Sequence, residues 1–248
     1  MTILGGAVVP AAPLGLSVVT PRAWPDDQRD IDKLRAMTTA ALSALPPDGP
    51  VIVLAPGTAV GLGSLASLAG LGVAWSEDVP TDDEVARLIA RSTGIPTTEA
   101  PLLLGHAVLA SHVSAAHPGR RVVAVGVSRT ADGGDLLDVG AAIAAALGDR
   151  PAVVVAAGDL SAGIDDRSPA WRVDGAAAWV NTVVRGVRPG APLDRALARA
   201  GPDEASRVRA TGWAPLTALA GIPGLVVSAA HQLAVRGVAH LIAVLEAP

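Results

Sequence analysis

The side chains in this sequence able to hold a metal or move a proton are few and widely spaced. His106, His112 and His117 form the densest histidine group, with gaps of six and five residues. A helix that offers two imidazoles to one ion needs a spacing of three or four. His106 and His117 can share a helix face, but at 1.5 Å rise per residue they stand roughly 16 Å apart, too far for one ion to bridge. The pattern assigns all three to surface or capping roles. His231 and His240 are isolated, and His240 falls inside the last predicted strand. Ser64 and Ser161 lack a recognisable histidine partner, and no Gly-x-Ser-x-Gly elbow joins a strand to a helix, which argues against Ser-His-Asp hydrolysis. The glycine-rich run Gly57–Ser64 follows a predicted strand, where backbone N–H groups can cradle phosphate. It has neither the closing Lys-Ser or Lys-Thr of a P-loop nor Gly-x-Gly-x-x-Gly spacing, so a plain turn is the better reading. Gly158-Asp159-Leu160-Ser161 is more informative. It directly follows the apolar run Ala152–Ala157, and polar residues just beyond a buried strand face the crevice where α/β proteins bind ligands. Asp159 and Ser161 are therefore candidate catalytic residues, evenly balanced against a turn or cap aspartate. Asp165, Asp166 and Arg167 read as a solvated loop.

The elements that must position these residues are legible as short Val/Ile/Ala runs alternating with helical patterns. The expected strands are Ile3–Val9, Val51–Leu54, Arg121–Val127, Ala152–Ala157, Gly224–Ser228 and Val238–Val244. Nearly continuous apolar strands of this kind belong to a mainly parallel sheet buried on both faces and flanked by helices. Helices are expected over Asp26–Leu45, stopped by Pro46-Pro47, and after Thr81-Asp82-Asp83-Glu84. That tetrapeptide has the form of a capping box with Thr81 as N-cap. Val85, Leu88 and Ile89 then form its apolar face. Further helices are expected over Leu102–Ala116, Asp135–Leu147, Trp171–Val187, Pro192–Ala200, Pro202–Ala210 and Pro215–Ala220. The Trp171–Val187 stretch carries a stripe of Val173, Val180, Val184 and Val187, and its Trp171 and Trp179 suit core packing better than an interface. No repeat or low-complexity linker divides the chain, so residues 1–248 read as a single α/β domain.

The totals narrow the function. A chain of 248 residues that is half apolar and 17% charged buries a sizeable core. A net charge of −4, with Phe and Tyr both absent, provides neither the basic field nor the stacking platforms of a nucleic-acid binder. The absence of cysteine excludes disulfides, thiolate catalysis and Cys-ligated zinc, and fits a cytoplasmic location. The run Ile3–Val19 lacks a basic leader and is broken by Pro10 and Pro13, so it reads as a strand and loop rather than a signal peptide. No segment is expected to cross a membrane.

Three stretches, taken in order, resemble the LigB-like class III extradiol dioxygenase superfamily, which includes the Memo proteins and a group of small actinobacterial proteins. They are Val8-Val9-Pro10-Ala11-Ala12-Pro13, Val154–Ser161, and Ala210-Thr211-Gly212-Trp213-Ala214-Pro215-Leu216 with the Ala218–Gly221 segment after it. The resemblance implies a LigB-like fold. It also implies a site in which two histidines and a glutamate hold Fe(II), with a further histidine as acid/base. The family's first histidine follows the first strand, where this chain has Ala11 and Ala12. The second follows the second strand, where Pro56-Gly57-Thr58 stand. The acid/base histidine follows Leu-Ser, where Ala162 stands, and the third ligand falls near Thr211 and Gly212. A methyl group offers no lone pair and carries no proton, so ordinary ring cleavage is not expected.

Two readings follow. The first is a metal-free protein that binds a small aromatic or planar molecule, or serves as an accessory protein, with a pocket of Ala11, Thr58, Ala162, Thr211 and Trp213 beside Asp159 and Ser161. The second is an active non-haem Fe(II) extradiol dioxygenase acting on a catechol-like substrate, which would require His106 or His231 to fold into the site. A role as an oligomer or as the partner of a catalytic chain is compatible with either.

Overall fold

The computed structural model describes residues 3–13, 16, 25–69, 73–102, 104–168 and 171–247. Part of the loop expected within residues 3–19 lies outside them. At the centre, four parallel strands lie side by side in the order β1 (Ile3–Val9), β8 (Ala152–Ala157), β2 (Val51–Pro56) and β7 (Val122–Val127). Every residue of β7 and β8 is buried, which is why these strands carry no polar alternation. Beyond β1 the sheet turns antiparallel, with β11 (Val238–Glu246) against β1 and β10 (Val226–Val235) against β11. Those two strands form a hairpin around Arg236 and Gly237, whose φ values of 48° and 71° suit a two-residue turn matched to sheet twist. The expected strand Gly224–Ser228 is thus the first part of a longer one. Short β3 (Val60–Gly61) and β6 (Thr97–Thr98) extend the other edge, and β9 (Asp159–Ser161) pairs with β11. A separate ribbon joins β4 (Leu65–Ser67) to β5 (Ser76–Asp78).

Helices cover both faces, as the sequence pattern requires. Successive β1 residues point to opposite sides. Ala7 and Val9 pack with Ile31 and Leu34 of α1 (Pro25–Ser43) and Leu109 of α3 (Leu104–Ala116). Val8 joins the opposite core. There lie α2 (Asp83–Thr93), α4 (Gly133–Leu147), α5 (Ala176–Arg185) and α7 (Trp213–Gly221). Helices α4 and α7 nearly touch at the backbone. A Cβ on Gly140 would lie 1.9 Å from the Ala218 carbonyl oxygen, so only glycine fits there. Before α7, a 3₁₀ turn (Arg195–Ala200) leads into the short α6 (Gly201–Arg207).

Three local expectations need correction. The N-cap of α2 is Asp82, which accepts from the Val85 N–H at 3.1 Å. The Thr81 hydroxyl instead donates to the Asp83 carboxylate at 3.1 Å, and its backbone bridges to Val122 of β7. Glu84 reaches Arg150 instead, at 2.7 Å. Leu88 is only half-buried, and Ala86 and Ala90 complete the buried face. The helix expected from Trp171 begins at Ala176, after Gly175 in a left-handed conformation, and its buried stripe is Ala176, Trp179, Val180 and Val183. Trp171 itself is 81% exposed, with a φ of 63°.

His106 and His112 of α3 are not surface residues, whereas His117, just past that helix, meets the carbonyl end of α1 as a capping residue would. His106 is buried at the start of the helix, and His112 lies largely buried beside α1. His117 is partly buried and bonds the Leu42 carbonyl at 2.8 Å. Burial, reinforced by the positive charge of Arg35, lowers the His112 pKa to about 4. The unfolded chain takes up this proton near the usual value of 6.5, whereas the native state resists until about 4. The native state therefore loses relative stability as pH falls through that window. We predict that His112→Gln recovers up to about 3 kcal/mol relative to wild type as pH drops from about 6.5 to about 4. Urea midpoints measured across that range check it, and parallel pH profiles for the two proteins would contradict it.

Candidate functional site

The four central strands end at one edge of the sheet, and the loops leaving that edge enclose a cavity of about 550 Å³. Crevices form at this edge in α/β sheets because strand order reverses there and adjacent loops part. Here β1 leads by way of α1 to β2, and β8 inserts between them. Ala11, Ala12 and Pro13 come from the exit of β1, and Pro56 is the last residue of β2. Leu104 and Gly105 begin α3, Val238 begins β11, and Ala162 follows β9. The wall is completed by Arg129, after β7, and by Arg209 and Thr211, between α6 and α7.

Asp159 is fixed at the base of this arrangement by its backbone and its side chain. The preceding Gly158 donates to the Val9 carbonyl and accepts from the Leu241 N–H, each at 2.8 Å. A side chain on Gly158 would place Cβ 2.3 Å from the Leu241 oxygen, so the chain threads between β1 and β11 only as glycine. The Asp159 carbonyl accepts from the Gly212 N–H at 2.7 Å, which ties it to the start of α7. Its carboxylate accepts from the Ala11 N–H at 3.1 Å through Oδ2 and contacts His240 Nδ1 at 2.8 Å through Oδ1. A carboxylate only accepts, so the imidazole holds its proton on Nδ1 in this contact. His240 is fully buried and pairs with Asp159 across the β9–β11 ladder, and its Nε2 has no hydrogen-bond partner.

Of the residues singled out in the sequence, Ala11, Asp159, Ser161, Ala162 and Thr211 meet at this cavity. Ser161 is committed to structure. Its hydroxyl donates to the Val208 carbonyl at 2.6 Å and accepts from the Gly163 N–H at 3.3 Å. That leaves no hydroxyl proton for a nucleophile's base to take.

Thr58 and Trp213 lie elsewhere. The chain after β2 folds back over β7, with Gly57 N–H on the Val127 carbonyl and Gly126 N–H on the Ala59 carbonyl, and this carries Thr58 to a separate cavity beside Thr93 and Leu136. Trp213 is buried as the first residue of α7, and its indole N–H donates to the Leu197 carbonyl at 2.9 Å. It borders a neighbouring cavity of about 300 Å³ that shares Arg129, Arg209 and Thr211 with the first. His231 lies on β10 against α1, away from both cavities.

Arg129, Arg209 and His240 were not singled out in the sequence as site residues. Arg129 follows the predicted strand ending at Val127 by two residues, the same signal that selected Asp159 after Ala157. Arg209 and the Asp159–His240 contact gave no signal in the sequence, because each depends on chain returns from distant elements.

The donor set does not make an iron triad. Among the described residues, Asp159 is the only carboxylate on the cavity wall, no imidazole lines it, and both Asp159 oxygens already accept hydrogen bonds. Among the same residues, no three His, Cys, Asp or Glu side chains converge as a metal site. A facial triad needs two neutral nitrogens and a carboxylate on one face.

No protein-family model matches the chain, and no curated protein matches it. Among solved structures, the chain is similar to the crystal structure of the uncharacterized protein JW3007 from Escherichia coli K12. The TM-score is 0.60 at 14% identity, over 97% of this chain and 99% of that one. At this identity the likeness concerns the fold, a single-domain α/β architecture whose mixed sheet has a parallel centre. Among the described residues, no helix is long and apolar enough to cross a membrane.

Replacing Asp159 removes the acceptor for a buried imidazole and for the Ala11 amide together. We predict that Asp159→Ala lowers stability by about 2–3 kcal/mol, since hydrogen bonds to a charged partner contribute about that much. Denaturant unfolding measures this, and a loss below about 0.5 kcal/mol would show that the clamp does not matter.

Proposed function

We propose that the chain is a LigB-like homologue that works without that family's iron chemistry, binding a small planar organic molecule in the cavity beside Asp159, as a binding or accessory protein. One observation carries this reading. Where the resemblance calls for imidazoles, the wall presents Ala11, Ala12 and Ala162, and the room those side chains leave is enclosed by Pro56, Leu104 and Val238. A concave, largely apolar space with a few fixed polar groups is the usual form of a small-molecule site. The three stretches that carry the resemblance all reach this cavity, through the exit of β1, the β8–β9 junction and the loop before α7. The alternative reading, an active Fe(II) dioxygenase, requires His106 or His231 to enter the site. His106 is buried and does not line the cavity, and His231 sits on a distant strand.

The test is titration of the uniformly ¹⁵N-labelled protein with a panel of small aromatic compounds, followed by amide chemical shifts. The expected result is saturable shifts at Ala11, Asp159, Ala162 and Thr211 for at least one compound, with Thr58 unmoved. A panel that moves none of the cavity amides would overturn the proposal.

A further inference from the structure

Two arginines face the same cavity from different loops. Arg129 follows β7 and Arg209 follows α6, and the same pair also borders the smaller cavity, so together with Thr211 they stand where the two spaces adjoin. Among the described residues neither arginine forms a salt bridge, whereas Arg87, Arg121, Arg150 and Arg207 each have a carboxylate partner within 4 Å. The carboxylate across the larger cavity, Asp159, is already held by the Ala11 amide and His240. Asp203 borders only the smaller cavity and bridges to neither arginine.

The backbone at Arg209 is a second, independent observation. α6 closes with the Ala210 N–H on the Ala205 carbonyl at 2.8 Å and the Arg209 N–H on the Ser206 carbonyl at 3.0 Å. This leaves Arg209 at the left-handed position of the helix end, with a φ of 57°. Glycine is the usual residue there, because a Cβ is strained in that conformation. Stopping the helix therefore does not explain an arginine, and a side chain kept at a strained backbone position points to a use for it.

We infer that the ligand of this cavity is a small organic monocarboxylate whose charged end is held by Arg129 and Arg209; the inference rests on the cavity being the binding site proposed above. Planar guanidinium forks match a carboxylate in shape and charge. Two guanidiniums against the single carboxylate of Asp159 leave one positive charge on the cavity wall, which one carboxylate neutralises. A dianionic phosphate would exceed that balance and face Asp159 across the same space. The apolar part of the ligand lies toward Pro56, Leu104 and Val238.

The experiment compares benzoate with its neutral isostere benzamide by isothermal titration calorimetry on wild type, Arg129→Gln and Arg209→Gly. Wild type is expected to bind benzoate at least about tenfold more tightly than benzamide, the preference expected of charge-assisted hydrogen bonds. Each variant is expected to lose that preference, its benzoate affinity falling by at least about tenfold and its benzamide affinity by much less. Arg209→Gly is expected to melt at a higher temperature than wild type, since glycine relieves the left-handed residue, and this separates lost binding from lost folding. Equal affinity for the two probes, or variants that keep the preference, overturns the monocarboxylate inference and leaves the cavity as a site for neutral molecules. If neither probe binds and the aromatic panel moves no cavity amide, the binding site itself is wrong and the inference falls with it.

Discussion

The Asp159 carboxylate is the contact on which the site depends. It joins three parts of the chain that are remote in sequence: the exit of β1 through the Ala11 amide, its own position after β8, and β11 through His240. Burying an imidazole without a partner is costly, and burying a carboxylate without donors costs more. Each group is tolerable here because the other is present. The clamp also fixes which chemistry Asp159 can offer. A carboxylate engaged on both oxygens is poorly placed to ligate a metal, and in the proposed reading it is the floor of the ligand site.

Around that floor the cavity combines small apolar side chains with positive charge at its mouth. Alanines and prolines occupy the strand exits, where larger or ligating residues would fill the space. The arginines come from the exposed loops after β7 and α6. The scaffold thus separates a rigid, buried base from exposed charged loops. That division suits recognition, with shape set by the strands and charge set by the loops.

Much of this was legible in the sequence wherever one local rule decided the outcome. The run Ala152–Ala157 reads as a doubly covered strand because nothing polar interrupts it, and the rule that pockets lie beyond such strands leads directly to Asp159. Ala11, Ala162 and Thr211 come instead from the family resemblance, as the positions where it places its ligands and acid/base group. The failures occurred where a distant partner overrode a local signal. Thr58 turns away because β3 returns antiparallel onto β7, which a glycine-rich loop does not announce. Trp213 is taken into the core at the start of α7, as the bulk of an indole favours, and His106 is buried although its spacing gave it a surface or capping role. His240 was placed correctly within its strand, but its partner lies 81 residues away and only the folded sheet reveals it.

The proposal that this wall seats an organic ligand and not ferrous iron can be tested at the metal itself. Anaerobic incubation with excess Fe(II), removal of unbound metal by desalting, and iron quantification by elemental analysis test it directly. The account predicts far less than one iron per chain. One tightly held iron per chain, lost on substitution of Asp159 or His240, would contradict it.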